Sequence, residues 1–289
     1  MRLAIALLVL TALSFGAPCA FALPIVGASA NTIPAGTFML DVWGTYQNFV
    51  YSWDESSDPN YSGWVGFTNG NQIVATSFVP RIYYGVTDWL TIRAALPIED
   101  RYADLESWSS AKSNTGLGDI IIDPKIQLYR GEGGFPRFSA LAGVRFPTGD
   151  TEGVDRFRTL ALSDGSTDYM IGGVITHVYE SLTGHVCATY WLNGDTKSGT
   201  DAKDVWALLL SLESKVDEQW TLLWEFKGVY GRDAADFNRN YVCPGIMWNG
   251  EHTSIGLSAI ASMTAHGGGG VSYLDIDWAP YFRAYYRFF

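Results

Sequence analysis

Along most of this chain, apolar and polar or small side chains alternate one by one. Clear examples are Phe38/Leu40/Val42, Leu90/Ile92/Ala94/Leu96, Ile120/Ile122/Ile126/Leu128 and Trp220/Leu222/Trp224/Phe226. A period of two marks strands with one apolar face; a helix would repeat at 3.6. Twelve strands are predicted, at residues 37–50, 71–84, 89–98, 117–130, 137–146, 167–179, 183–193, 204–213, 219–230, 239–249, 253–263 and 278–289. The last shows the pattern best. Trp278, Pro280, Phe282, Ala284, Tyr286 and Phe288 fall on one face, and Tyr281, Arg283, Tyr285 and Arg287 on the other. A strand that is greasy on one side and cationic on the other suits a closed sheet in lipid, where an unpaired edge is expensive.

The connections alternate as well. Tight turns fall at residues 85–88, 131–136, 180–182, 214–218 and 250–252, and longer connections at 51–70, 99–116, 147–166, 194–203, 231–238 and 264–277. Short periplasmic turns opposite long outer loops are the asymmetry of bacterial outer-membrane barrels, and an even strand count puts both barrel ends in the periplasm. Aromatics gather where strands end: Phe38, Tyr84, Phe138, Tyr179, Trp220, Trp248 and Tyr286 at the periplasmic side. Phe146, Tyr169, Trp206, Tyr230 and Trp278 gather at the other. Two such girdles match the two membrane interfaces, which favour amphipathic rings. The predicted fold is all-β, a transmembrane antiparallel β-barrel of about 12 strands.

The N-terminus supplies a route to that membrane. Arg2, the apolar run from Leu3 to Leu13 and the small-x-small site Ala20-Phe21-Ala22 read as a signal peptide over residues 1–22, with the barrel at 23–289. The run falls short of the roughly 20 residues a membrane helix needs, and none later is longer. Cys19 leaves with the signal; Cys187 and Cys243 could pair in an oxidising compartment, although two thiols on distant strands are more often free. The expected location is the outer membrane of a Gram-negative-type bacterium, with lipid and lipopolysaccharide as surroundings. Aromatics make up 15% of residues and charged residues 17%, and the mean hydropathy is +0.04, as expected when half of each strand faces lipid. A net charge of -11 argues against nucleic acid as a partner.

Four short motifs suggest a family. Asn31-Thr32-Ile33-Pro34-Ala35-Gly36 precedes the first strand, and Tyr84-Gly85-Val86-Thr87-Asp88 forms the first tight turn. Thr115-Gly116-Leu117-Gly118-Asp119 opens the fourth strand, and Phe146-Pro147-Thr148-Gly149-Asp150 closes the fifth. Together they resemble the meta-pathway phenol-degradation proteins, a family of outer-membrane barrels. The resemblance implies a passive transporter for small hydrophobic or aromatic compounds, broadly like fatty-acid and toluene transporters, with no catalytic residues to carry over. One departure is that Phe288 keeps the lipid-facing register and the final Phe289 does not.

Strand parity assigns Asp41, Arg81, Arg93, Asp119, Asp123 and Lys125 to the lumen. It adds Arg145, Glu213, Glu225, Lys227, Arg283 and Arg287, with Thr45, Gln47, Ser77 and Ser139. Of these, Arg93, Asp119, Asp123, Lys125, Arg145, Glu225, Lys227 and Arg283 are the candidate pore-lining set. A barrel of about eight strands fills itself and one of about 16 holds open water, so twelve lies between. The lining either selects small solutes or pairs across the lumen and closes it, with Glu225 and Lys227 the expected pair. The cations Arg93, Lys125, Lys227 and Arg283 favour anionic solutes weakly. Pro80, Pro97 and Pro124 lie inside three consecutive strands, where proline cannot donate to the ladder. They mark either bulges that help closure or a point where a hydrophobic solute leaves sideways.

The outer connections are acidic, with Asp54, Glu55, Asp58, Glu99, Asp104, Glu106, Asp150 and Glu152 among their carboxylates. Such residues can hold divalent cations against lipopolysaccharide, but the spacing matches no dedicated calcium loop, and a solvated surface is the plainer reading. Enzyme motifs are sparse. Gly267 to Gly270 lies in an outer connection, not between strand and helix, and nothing forces a Ser–His pair among His177, His185, His252 and His266. No cofactor or metal is called for. The sequence therefore points to a passive channel for small aromatic molecules. The alternative is a structural or surface-interaction barrel with a closed lumen and ion-binding outer loops.

Overall fold

A computed structural model describes residues 28–54, 63–66, 72–104, 109–151, 160–195, 204–231, 239–263, 274–276 and 278–288. The expected signal peptide, Glu55, Asp58, Glu106, Glu152, His266 and Gly267 to Gly270 lie outside these residues.

The wall starts with β1 (Phe38–Asp54), the short β2 (Gly63–Gly66) and β3 (Gln72–Thr87). It continues through β4 (Leu90–Ala95), β5 (Ile98–Asp104), β6 (Lys112–Leu117) and β7 (Ile120–Tyr129). Next come β8 (Arg137–Phe146), β9 (Asp168–Tyr179), β10 (Leu182–Leu192) and β11 (Val205–Lys215). It ends with β12 (Trp220–Gly231), β13 (Arg239–Asn249), β14 (Thr253–Ser262), β15 (Leu274–Ile276) and β16 (Trp278–Phe288). All pairings are antiparallel. The strands β4 and β5 make one stave, as do β6 with β7 and β15 with β16. β1 pairs with β3 on one side and with β16 on the other, which closes a barrel of twelve staves. Closure removes the sheet edge, the one feature lipid does not tolerate.

Most predicted strands match to within a few residues; one prediction is corrected. Residues 99–116, read as an outer loop, mostly form the hairpin β5–β6, so Glu99 and Asp104 lie on a strand. The cause is proline. Pro97 has no N–H, so the strand breaks at Leu96-Pro97 and the alternation restarts beyond it. The ladder is carried across the break. Leu96 N–H donates to the Pro80 carbonyl (3.0 Å), and Gly118 N–H to the Pro97 carbonyl (2.9 Å). Pro124 stands opposite Ile92 on the lipid face.

The pleat sets the two faces. Ile82, Ile171, Trp224 and Leu257 are each more than half exposed although they sit mid-strand, and a continuous apolar exterior of this kind belongs in lipid. Phe38, Tyr84 and Trp220 point outward at the rim of the short turns; there Phe38 pairs with both Tyr84 and Phe288, and Trp220 with Trp248. The inner face is packed unevenly. From β12 round to β3, Leu223, Tyr241, Met247, Ile260, Tyr281 and Tyr285 fill one side of the lumen as an apolar cluster with Met39 and Tyr83. The opposite side, from β4 to β11, is more polar, with Thr91, Asp123, Ser139, Thr176, His185 and Glu213 buried there beside the smaller apolar group of Val174 and Cys187.

Candidate functional site

The chain before β1 does not run away from the periplasmic rim but turns into the barrel. Gly36, at φ 74°, takes the left-handed conformation this reversal needs. Its N–H donates to the Gly85 carbonyl (2.8 Å), and the Gly85 N–H to the Thr37 carbonyl (3.0 Å). Any side chain at Gly85 would overlap the Pro34 carbonyl. The segment 28–35 then lies across the polar side of the lumen. Ala30, fully buried, donates its N–H to Thr176 Oγ1 (2.8 Å) and accepts from Ser139 Oγ (2.6 Å) and Gln127 Nε2 (3.2 Å). Ile33 N–H donates to Thr91 Oγ1 (3.0 Å), and Ala35 N–H to Asp88 Oδ1 (3.1 Å). Sequence reasoning missed this segment. The signal was the Asn31–Gly36 motif, whose partner is the Tyr84–Asp88 motif.

The other two motifs also bind each other, near the outer mouth. Asp119 Oδ1 accepts the Gly149 N–H (3.1 Å); Thr148 Oγ1 donates to the Gly118 carbonyl (3.0 Å) and accepts from the Ile120 N–H (2.9 Å). Beyond this lock, Leu160 is buried against Ile73 and Ala103, with Phe49 beside them. Asn114 Nδ2 holds the Leu160 carbonyl at 2.9 Å.

A cavity of about 700 Å³ lies in the lumen, bounded by residues of the segment 28–34 and reaching Thr189 and Trp191 toward the outer end of β10. Its lining carries the cations Arg93, Lys125, Arg130 and Arg137 together with Arg81, Arg283 and Arg287; its carboxylates are Asp88 and Asp123. Several cations are matched inside. Arg93 pairs with Asp123. Arg283 makes two hydrogen bonds to Asp41, at 2.9 and 2.8 Å, and Arg81 reaches the same carboxylate at 2.7 Å. Guanidinium groups also face rings: Arg81 over Trp43 (5.7 Å), Arg93 over Tyr83 (6.0 Å) and Arg145 over Trp191 (5.4 Å). The chamber thus offers positive charge, aromatic surface and aliphatic surface together.

Of the candidate pore-lining residues, Arg93, Asp123, Lys125 and Arg283 line this chamber. The other four lie elsewhere. Arg145 pairs with the buried Asp168. Glu225 accepts from Ser211 Oγ at 2.9 Å, and Lys227 is on the same inner face, half-buried. Asp119 is the cap of Gly149. Cys187 and Cys243 are both buried free thiols. His185 Nδ1 is 2.8 Å from Thr176 Oγ1, and its Nε2 is 3.2 Å from Glu213 Oε1. This line of hydroxyl, imidazole and carboxylate is buried, and its hydroxyl already accepts the Ala30 N–H. It anchors the lumen segment.

No curated protein matches the sequence. Among solved structures, an outer membrane channel from Pseudomonas putida F1 superposes with a TM-score of 0.68 at 14% identity, covering 90% of this chain and 98% of the other. The translocator domain of the autotransporter NalP from Neisseria meningitidis gives 0.47 at 12% identity, covering 88% and 89%. The first likeness supports the twelve-stave fold. The family described as "Putative MetA-pathway of phenol degradation" matches residues 25–259, and this chain belongs to that family.

Proposed function

We propose that the protein is a passive outer-membrane channel for small aromatic compounds, and that Arg93, Asp123, Lys125 and Arg283 line its route. The observation that carries this reading is the lumen chamber of about 700 Å³ with cations set against rings. A cavity of about 150 Å³ already accepts benzene, so a substituted ring fits with water around it. Rings and methylene stems meet the apolar body, while the guanidinium and ammonium groups suit an oxygen substituent. The family's link to phenol degradation and the channel named in the P. putida structure agree with this. Export with cleavage after Ala22 would leave a short stretch ahead of the lumen segment.

The segment 28–35 across the lumen favours a second reading, a closed structural barrel. Vesicle flux separates the two. Purified protein in liposomes is expected to release benzoate faster than empty vesicles do, without an energy source and with little passage of sugars. No flux for any aromatic solute would return the closed barrel.

A further inference from the structure

Lys125 and Arg137 differ from the ion-paired cations of the lumen. Arg81, Arg93, Arg145 and Arg283 each hold a carboxylate. Lys125 Nζ instead donates to the Ser29 carbonyl at 3.1 Å, and Arg137 Nη1 to Asn31 Oδ1 at 2.6 Å. Both acceptors are neutral, both belong to the lumen segment, and all four residues line the chamber.

We propose that Lys125 and Arg137 form a binding site for the carboxylate of a small aromatic acid, and that the segment around Ser29 and Asn31 is its resting occupant, displaced as the acid binds. The inference rests on the channel reading and names the substrate class and its gate. The physical reason is a mismatch of partners. Charge-assisted hydrogen bonds are about twice as strong as those between neutral groups, and a cation held by an amide oxygen gains when a carboxylate replaces it. Around Ala30 the segment's bonds to Thr176, Ser139 and Gln127 join neutral groups, and its one bond to a carboxylate, from the Ala35 N–H to Asp88, lies at the rim beside β1. A ligand that binds only the displaced form shifts the equilibrium by its differential affinity. Neutral aromatics lack that difference and leave the segment in place.

Cys187 is a native reporter. It is 2% exposed and packs against Ala30 and Val174, so displacement of the segment uncovers its thiol. The measurement is the rate of N-ethylmaleimide labelling of the exported full barrel carrying Cys243→Ser. Benzoate is expected to raise the rate about tenfold at saturation; benzamide, its neutral counterpart, leaves it unchanged. Lys125→Met and Arg137→Gln should each abolish the response, with heat-modified gel mobility confirming a folded barrel. Thr176→Val, which removes an anchor without touching the cations, should raise the rate with no ligand present. Equal acceleration by benzamide, or a full benzoate response in Lys125→Met, overturns the site. Benzoate flux through vesicles with Cys187 unresponsive removes the gate and leaves the channel standing. Absence of both removes the channel reading as well.

Discussion

Arg283 on the last strand and Asp41 on the first lie 242 residues apart, yet they share two hydrogen bonds across the closing seam. Arg81 on β3 and the Tyr83 hydroxyl (3.1 Å) reach the same carboxylate, which is fully buried. One carboxylate thus ties together β16, β1 and β3, the three strands whose meeting turns an open sheet into a barrel. This seam cannot form until both ends of the barrel are present.

Removing that carboxylate strands two guanidinium groups inside the lumen. Asp41→Ala is expected to destabilise the barrel by about 3–5 kcal/mol, the cost of breaking a buried pair from one side. Asp41→Leu combined with Arg283→Met should recover part of this, because the second charge goes too. Urea unfolding of the reconstituted barrel measures both. Equal stability of Asp41→Ala and wild type would show that the seam holds without its carboxylate.

The lock at the outer mouth makes a local prediction. Asp119→Ala deletes the acceptor of the Gly149 N–H, and Thr148→Val deletes the hydroxyl shared by Gly118 and Ile120. Each should cost about 1 kcal/mol locally. Amide exchange at Gly149 and Leu162 should quicken in both variants, while exchange in β10 to β12 stays slow. Uniform quickening throughout the wall would mean that the lock supports the whole barrel.

The wall was legible in the sequence because each strand is an independent statement of a period-two pattern. Arg283, Lys125 and Glu225 fall on the inner face by parity alone, and the pairing repeats that parity strand after strand. The break at Pro97 was visible only as a proline, since the residues beyond it are too polar to read as a strand. The lumen contents were harder. Residues 28–36 carry no periodicity; their place follows from hydrogen bonds to Thr91, Gln127, Ser139 and Thr176, four residues on four strands. Parity put Tyr281 on the inner face, but its packing with Tyr241 and Met247 was missed because parity does not show what an inward side chain meets across the lumen. Parity also could not show which inward cations are already matched.

That last distinction governs ion selectivity. The sequence alone gives equal weight to Arg93, Lys125 and Arg283, but Arg93 carries Asp123 beside it, and Arg283 shares Asp41 with Arg81 at the closing seam. A one-to-one pair such as Arg93–Asp123 is close to neutral at the distance of a passing ion, whereas Lys125, hydrogen-bonded to a carbonyl inside the chamber, keeps its field. The wild-type barrel is therefore expected to prefer anions, because a low-dielectric channel focuses that field on the permeating ion. The double variant Arg93→Ala/Asp123→Ala deletes a neutral pair and should leave the permeability ratio nearly unchanged. Lys125→Gln should lower the anion-to-cation ratio about twofold, a fraction of a kcal/mol, as expected for one charge in a largely aqueous passage. Asp123→Asn should raise it by freeing Arg93. The measurement is the reversal potential of single channels in planar bilayers under a salt gradient. A large shift in the double variant alongside none in Lys125→Gln would place the selecting field on the Arg93–Asp123 pair and refute the assignment to Lys125.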